Sequence, residues 1–338
     1  MNDDYLWDGS GKPDPEIRRL ESLLGRFRHD PVRTSLDAGQ TARAARRPAG
    51  GRWVLLATAA TLVIAVVGAY LVSRVGDQGW EVVRLEGAPR VGSAAIARTG
   101  RLSVGGWVVT DEGSRAEIRI GTIGEARIDP GTRVRLVRAD LTDHRLLLER
   151  GTLHARIWAP PRLFFVETPS ATVVDLGCTY TLSVDAAGES LLSVTSGWVA
   201  FEFEGRESFV PAGALCATRK PRGPGTPYFE DATPSLRDAL RRLDFEDDPD
   251  SRASSLEVVL REARPEDALS LWHLLSRMGA AERGRIHDRL AVLVPPPVGV
   301  TRDGVLRGDR EMLDRWWDAL GLGVSSWWRL WKSPGPPG

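Results

Sequence analysis

The chain has 338 residues and is 42% hydrophobic, enough for two or three modest domains with real cores. Its 45 Lys and Arg balance 45 Asp and Glu, so it lacks the basic excess needed to neutralise nucleic acid phosphates, and no direct nucleic acid partner is expected. Two cysteines, Cys178 and Cys216, cannot make a zinc cluster.

In residues 1–52, Tyr5, Leu6 and Trp7 precede Asp14-Pro15-Glu16, which reads as an N-cap, a first-turn proline and a first-turn acid. Ile17, Leu20, Leu24 and Phe27 then fall three or four apart, with Arg18, Arg19, Glu21 and Arg28 between them. This spacing predicts an amphipathic helix of about three turns, too short to stand alone in water. Its apolar stripe, with Trp7, would dock on a cytoplasmic partner or lie on the inner leaflet, and the acids suit docking better. The head has no Cys and only His29, which excludes a zinc module built on His and Cys ligands. Gly9-Ser10-Gly11-Lys12 lacks the spacing and the hydroxyl of a phosphate loop and reads as a turn. Pro, Gly, Ala and Arg then make residues 30–51 a flexible tether.

Trp53 to Val72 contains no charged residue. Twenty residues at 1.5 Å each make roughly 30 Å of helix, about one hydrocarbon core, so a single transmembrane helix is expected at 53–72. Arg43, Arg46, Arg47 and Arg52 precede it, whereas Arg74 is the one nearby cation after it. The asymmetry places the N-terminus in the cytoplasm and the C-terminal body outside, across a bacterial inner membrane in the periplasm.

Beyond the span the period becomes two. Ala116, Ile118 and Ile120 alternate with Arg115, Glu117 and Arg119, and Tyr180, Leu182 and Val184 alternate with Thr181 and Ser183. Such runs predict half-buried strands. A loose unit of apolar strand, Gly, apolar strand recurs from Leu146, Leu191 and Ser208, with Gly151, Gly197 and Gly213 at its corners. Residues 80–220 are therefore expected to form a mainly β domain, a sandwich or a roll of stacked turns.

The run Val166-Glu167-Thr168-Pro169-Ser170-Ala171, then Leu176-Gly177-Cys178-Thr179-Tyr180, then Val194 to Val199 and Pro211-Ala212-Gly213, resembles the FecR-like family of membrane-spanning sigma-factor regulators. The resemblance covers about residues 98–216, with Thr168, Pro169, Gly177, Gly197 and Gly213 at motif positions, and Cys178 standing where the family usually has Thr. It implies a cytoplasmic head that binds an extracytoplasmic-function sigma factor, one membrane helix and an exported domain that receives a signal. Cys178 and Cys216, each near a corner glycine, are candidates for a disulfide or for two small buried hydrophobes. His144 and His154 have no nucleophile, paired acid or second ligand at a recognisable spacing, and Asp129 and Asp175 read as turn and strand-end residues. No catalytic residue, metal site or cofactor is expected.

Pro221 to Pro227 reads as a linker. Helical stripes follow: Leu236, Ala239, Leu240 and Leu243 after Ser235; Leu256, Val259, Leu260 and Ala263; Leu271, Leu274, Leu275 and Met278; Ile286, Leu290 and Leu293 up to Pro295. A last helix, capped by Asp309, carries Met312, Leu313, Trp316, Trp317 and Leu320. An all-α array is expected at 233–320, with His273 and His287 in core or surface places rather than on a metal. The tail, 321–338, carries Trp327, Trp328 and Trp331 among basic residues, which suits a membrane interface or a partner groove. Two functions compete: a regulator that joins an external signal to a sigma factor, and a membrane-anchored envelope binding or scaffold module for a wall polymer, ligand or protein.

Overall fold

A computed structural model describes residues 79–323. The expected head at 1–52, the span at 53–72 and the Trp327, Trp328 and Trp331 cluster lie outside the described residues. Among the described residues no helix is long and apolar enough to cross a membrane.

The alternating segments form strands in the order β1 (Gly79–Glu86), β2 (Arg90–Val91), β3 (Ala94–Ala95), β4 (Thr99–Ser103), β5 (Trp107–Val109), β6 (Arg115–Ile120), β7 (Gly124–Ile128), β8 (Arg133–Ala139) and β9 (His144–Ile157). They continue through β10 (Phe164–Glu167), β11 (Thr172–Asp175), β12 (Thr179–Val184), β13 (Ser190–Ser196), β14 (Trp198–Phe203), β15 (Arg206–Pro211), β16 (Ala214–Arg219), β17 (Gly223–Pro224) and β18 (Tyr228–Phe229). One layer runs β4-β1-β6-β7-β9-β12-β13-β16, with β17 and β18 at its end. The other runs β3-β2-β5-β8-β9-β10-β11-β14-β15. The β9–β10 pair is parallel, and the other described pairs are antiparallel.

Strand β9 belongs to both layers. Residues up to Arg150 pair with β8, and from Gly151 onward the strand pairs with β12. The chain changes layers in the same way at Gly177, between β11 and β12, at Gly197, between β13 and β14, and at Gly213, between β15 and β16. All four glycines have positive φ, between 73° and 94°. A Cβ at Gly197 would collide with the Gly177 carbonyl oxygen, and one at Gly151 with Thr132. The recurring sequence unit is thus a sheet-to-sheet crossing, and Gly151 bends one continuous strand rather than separating two.

Inward-facing residues such as Val82, Ile118, Leu136, Leu146, Leu182 and Phe201 fill the space between the layers and are fully buried. Many outward residues are charged, with Thr and Ser on β12, and Arg119 with Glu81 and Arg133 with Glu149 make exposed pairs worth little individually.

The helical stripes form α1 (Pro234–Phe245), α2 (Pro249–Glu262), a 3-10 turn at Pro265–Asp267, α3 (Ala268–Leu275), α4 (Ala280–Leu293), α5 (Arg302–Arg307) and α6 (Arg310–Ala319). Helix α1 starts at Pro234, earlier than its apolar stripe suggests, because the Thr233 hydroxyl accepts from the Leu236 amide at 3.1 Å. Asp309 caps α6 as expected, accepting from the Met312 amide at 3.1 Å. Leu236, Leu240, Leu256, Leu271, Ile286 and Leu290 share a helical core, whereas Leu269 and Trp317 join the β core.

Pro221 to Pro227 is not a free linker. Residues 223–227 are buried, and Gly223 and Gly225 sit so close to the Phe203 and Phe245 rings that a Cβ would strike them. Glycine is present there for close approach rather than for looseness.

Replacing Gly197 by Val combines a left-handed backbone with a backbone collision and should cost at least about 2 kcal/mol in urea unfolding of the full chain. Gly131 has φ of 70° but open space around it, so Gly131→Ala should cost only about 1 kcal/mol.

Candidate functional site

The motif positions turn out to be architectural. The Thr168 hydroxyl donates to the Ala171 carbonyl at 2.8 Å and accepts from the Ala171 amide at 3.1 Å, closing the β10–β11 turn. Pro169 packs beside Gly188, and the next residue, Ser170, is buried with its hydroxyl 3.1 Å from Ser190 and 2.5 Å from Thr218. One turn therefore pins the start of β13 and the end of β16. At the β11–β12 crossing the buried Asp175 carboxylate accepts from the Gly177 amide at 2.7 Å and from the Cys178 thiol at 2.7 Å. Burial raises Asp175 to about 7 despite these bonds, and burial with Asp175 alongside pushes the Cys178 thiol well up.

Of the two alternatives for Cys178 and Cys216, the structure shows the second. Both thiols are free and buried. Thr179, next to Cys178, pairs with Ser196 of β13, whereas Cys216 pairs with Leu192 of the same strand. Two strand spacings across and four residues along amount to roughly 15 Å or more, against the few ångströms between bridged cysteines. The Cys216 thiol instead donates to the Gly225 carbonyl at 3.3 Å, and burial pushes it up to about 12. Both side chains behave as small buried hydrophobes.

The structure assembles one constellation that spacing could not reveal. On the outer face of the first layer, His154 Nε2 lies 2.8 Å from Asp129 Oδ2 and its Nδ1 lies 2.9 Å from the Thr181 hydroxyl. An acid, an imidazole and a hydroxyl in line is the arrangement of an activated nucleophile. Here the hydroxyl stands on an interior strand whose neighbours β9 and β13 both pair with it, which commits that strand's backbone amides to the ladders rather than to an oxyanion. The line ties the turn after β7 to β9 and β12 across 25 and 27 residues of sequence. His144 is half-buried near Trp80, and burial lowers its pKa.

The richest polar site lies where the helices meet β15, the edge strand of the second layer. His273 is buried on α3; its Nδ1 faces the Leu269 carbonyl at 2.9 Å, and its Nε2 accepts from the Phe209 amide of β15 at 3.0 Å. Burial, with Arg277 nearby, lowers His273 to about 3, so it stands there neutral and blocks the edge by accepting a strand hydrogen bond. Beside it Arg277 donates to the Ser208 hydroxyl at 2.6 Å and the Thr226 hydroxyl at 2.9 Å, and pairs with the buried Asp244 of α1 at 3.4 Å. Asp244 also takes Arg206 at 3.1 Å and the Thr226 amide at 2.6 Å. Burial lowers Arg277 to about 10, which still leaves it charged at neutral pH. Trp317 completes the joint with ring centroids 4.7 Å from Trp272, 5.9 Å from Trp198 and 6.1 Å from Phe209. Trp316 therefore closes the helical core and Trp317 the β core, and His287 is buried against Trp316.

Two clefts flank the tip of the β14–β15 hairpin. The outer one, about 1220 Å³, is lined by Arg145, Phe165, Arg162 and Glu202. Arg162 and Glu204, the non-glycine residues with left-handed backbone among the described residues, both line it. The inner one, about 920 Å³, lies between the hairpin and helices α3 to α6. No group of His, Cys, Asp or Glu among the described residues is placed to hold a metal ion.

Residues 107–200 match the family described as FecR protein. The FecR segment runs from β5 into β14 and falls inside the stretch, 98–216, where the sequence motifs lie. Two crystal structures of a candidate anti-sigma factor from Parabacteroides distasonis ATCC 8503, at 1.65 and 2.50 Å resolution, are 17% and 18% identical to this chain with TM-scores of 0.33 each. They cover 40% and 45% of this chain, which spans 64% and 73% of theirs. No curated protein matches the sequence.

Asp244→Asn would leave the buried Arg277 guanidinium, with the half-buried Arg206 beside it, around a neutral amide and should lower stability by about 3 kcal/mol in denaturant unfolding. A second expectation concerns pH. Asp175, raised from 3.8 to about 7, stabilises the fold at low pH and loses that contribution as pH climbs through 7. His273, lowered from 6.5 to about 3, does the opposite, its contribution being present above 6.5 and lost as pH falls toward 3. Between pH 3.8 and 6.5 the two slopes, each about 1.4 kcal/mol per unit, oppose one another. Asp175→Asn should therefore uncover a stability that rises with pH across this window, measured by urea unfolding at a series of pH values. A variant whose profile parallels the parent's would contradict the assignment.

Proposed function

We propose that the protein is a membrane-spanning sigma-factor regulator of the FecR type. The match of residues 107–200 to the FecR family carries this reading. In it, residues 1–52 lie in the cytoplasm and hold an extracytoplasmic-function sigma factor through Trp7, Ile17, Leu20, Leu24 and Phe27. Residues 53–72 cross the inner membrane, and the body beyond receives a signal on the periplasmic side. The arginines before the uncharged run support that orientation. The protein acts by binding rather than by catalysis.

A span without polar side chains suited to relay a charge can pass on position, association or cleavage. The tether at 30–51 is rich in Pro, Gly and Ala, which makes transmission of a small twist ineffective and favours a change of association or proteolysis.

The full chain, purified from membranes in detergent, should retain a sigma factor, and the variant with Ile17, Leu20, Leu24 and Phe27 replaced by Ser should lose it. Absence of any sigma factor from the parent sample under every growth condition would overturn the regulator reading and favour the envelope scaffold. Retention by the variant would move the contact off the apolar stripe.

A further inference from the structure

The inner cleft of about 920 Å³ falls in the size range of small-molecule sites. Its polar lining is dominated by guanidinium groups drawn from separate elements: Arg206 of β15, Arg277 after α3, Arg283 of α4, Arg307 of α5 and Arg310 of α6. Glu204, Glu207 and Asp314 are the acids on the same lining, leaving an excess of two positive charges, five minus three. Arg206 and Arg277 share one carboxylate, that of Asp244.

Arg283 is held by neutral acceptors, donating to the Leu306 carbonyl at 2.7 Å and the Met278 carbonyl at 3.1 Å. These bonds fix the guanidinium between the start of α4 and the end of α5. Arg307 and Arg310 flank the Gly308-Asp309 turn and are exposed at the mouth. Trp272 and Leu313 supply an apolar wall, tied to each other by the indole N–H donating to the Leu313 carbonyl at 2.8 Å.

We infer that this cleft binds a small ligand bearing two or more oxyanions, phosphate or carboxylate, with the arginines as its recognition groups and the Trp272 wall against its carbon skeleton. Guanidinium forks match both oxyanions in a bidentate manner, and charge assistance makes such bonds about twice as strong as neutral ones. The position matters for consequence. Arg206 and Arg277 reach from the cleft to Asp244, Ser208 and Thr226, so an anion drawing on either guanidinium would bear on the joint between β15 and the helices. The inference concerns ligand binding by the body and stands apart from the sigma-factor reading, which is tested in the head.

Inorganic pyrophosphate and tricarballylate serve as the phosphate and carboxylate probes, titrated calorimetrically into the purified full chain at low and raised ionic strength. Saturable binding of at least one probe is expected, weakening with salt, and the stronger of the two names the chemistry. The exposed pair Arg307→Glu and Arg310→Glu should weaken it by at least about tenfold with the thermal midpoint of the unliganded protein unchanged. A control pair on the outer face, Arg119→Glu with Arg127→Glu, should bind as the parent does. Lack of binding by both probes, or equal binding by the Arg307 and Arg310 variant, would overturn the site.

Discussion

The β body depends on a backbone able to turn from one sheet into the other without a side chain in the way. At Gly151, Gly177, Gly197 and Gly213 the chain leaves one layer and enters the next, so the two layers are built largely from the same lengths of chain. Crossings of this kind place backbones in contact at the corner, where the Gly177 carbonyl meets Gly197 and Thr132 meets Gly151. A residue with a Cβ would both strain the left-handed backbone and separate those chains. The interior between the layers, filled by Val, Leu, Ile and Phe, follows from that geometry.

Rolling the chain in this way leaves edges, and β15 is one of them. An open edge invites pairing with another chain. Here α3 and the turn after it cover the edge with side chains rather than with another strand: His273 accepts the Phe209 amide and Arg277 holds the Ser208 hydroxyl. Both groups are buried, so each is satisfied by a specific partner, and Asp244 neutralises the arginines that would otherwise be stranded. The helices are thus part of the β body's closure, joined to it by Trp317 and the Asp244 network. The inner cleft lies between the hairpin and the helices, with Arg307 and Arg310 exposed at its mouth.

The residues that resemble the FecR family have a structural meaning. Thr168 and Pro169 close a turn, Ser170 ties that turn to two other strands, and Gly177, Gly197 and Gly213 make crossings. These positions hold the shape of the body, whereas the clefts and the exposed charges lie on its outer surfaces. In the FecR segment the described His154 line likewise serves to join strands.

Much of the architecture was legible in the sequence because it is recorded between near neighbours. Alternation marked the strands, glycine marked the corners, and the stripes from Leu236 to Leu290 and the Asp309 cap marked the helices, each being a matter of period two, period 3.6 or one turn of chain. What only the tertiary structure decided depends on register between distant segments. Arg206 meets Asp244 across 38 residues and Arg277 meets Ser208 across 69, and no local pattern encodes such pairings. The same holds for Asp129, His154 and Thr181, and for the two thiols, whose corner positions looked equivalent until strand pairing set them on opposite sides of β13. Pro221 to Pro227 was composed like a linker, yet its glycines serve to let Phe203 and Phe245 pack against bare backbone, because the demand for a missing Cβ is the same in a loose chain and in a tight contact, and only the neighbours distinguish them.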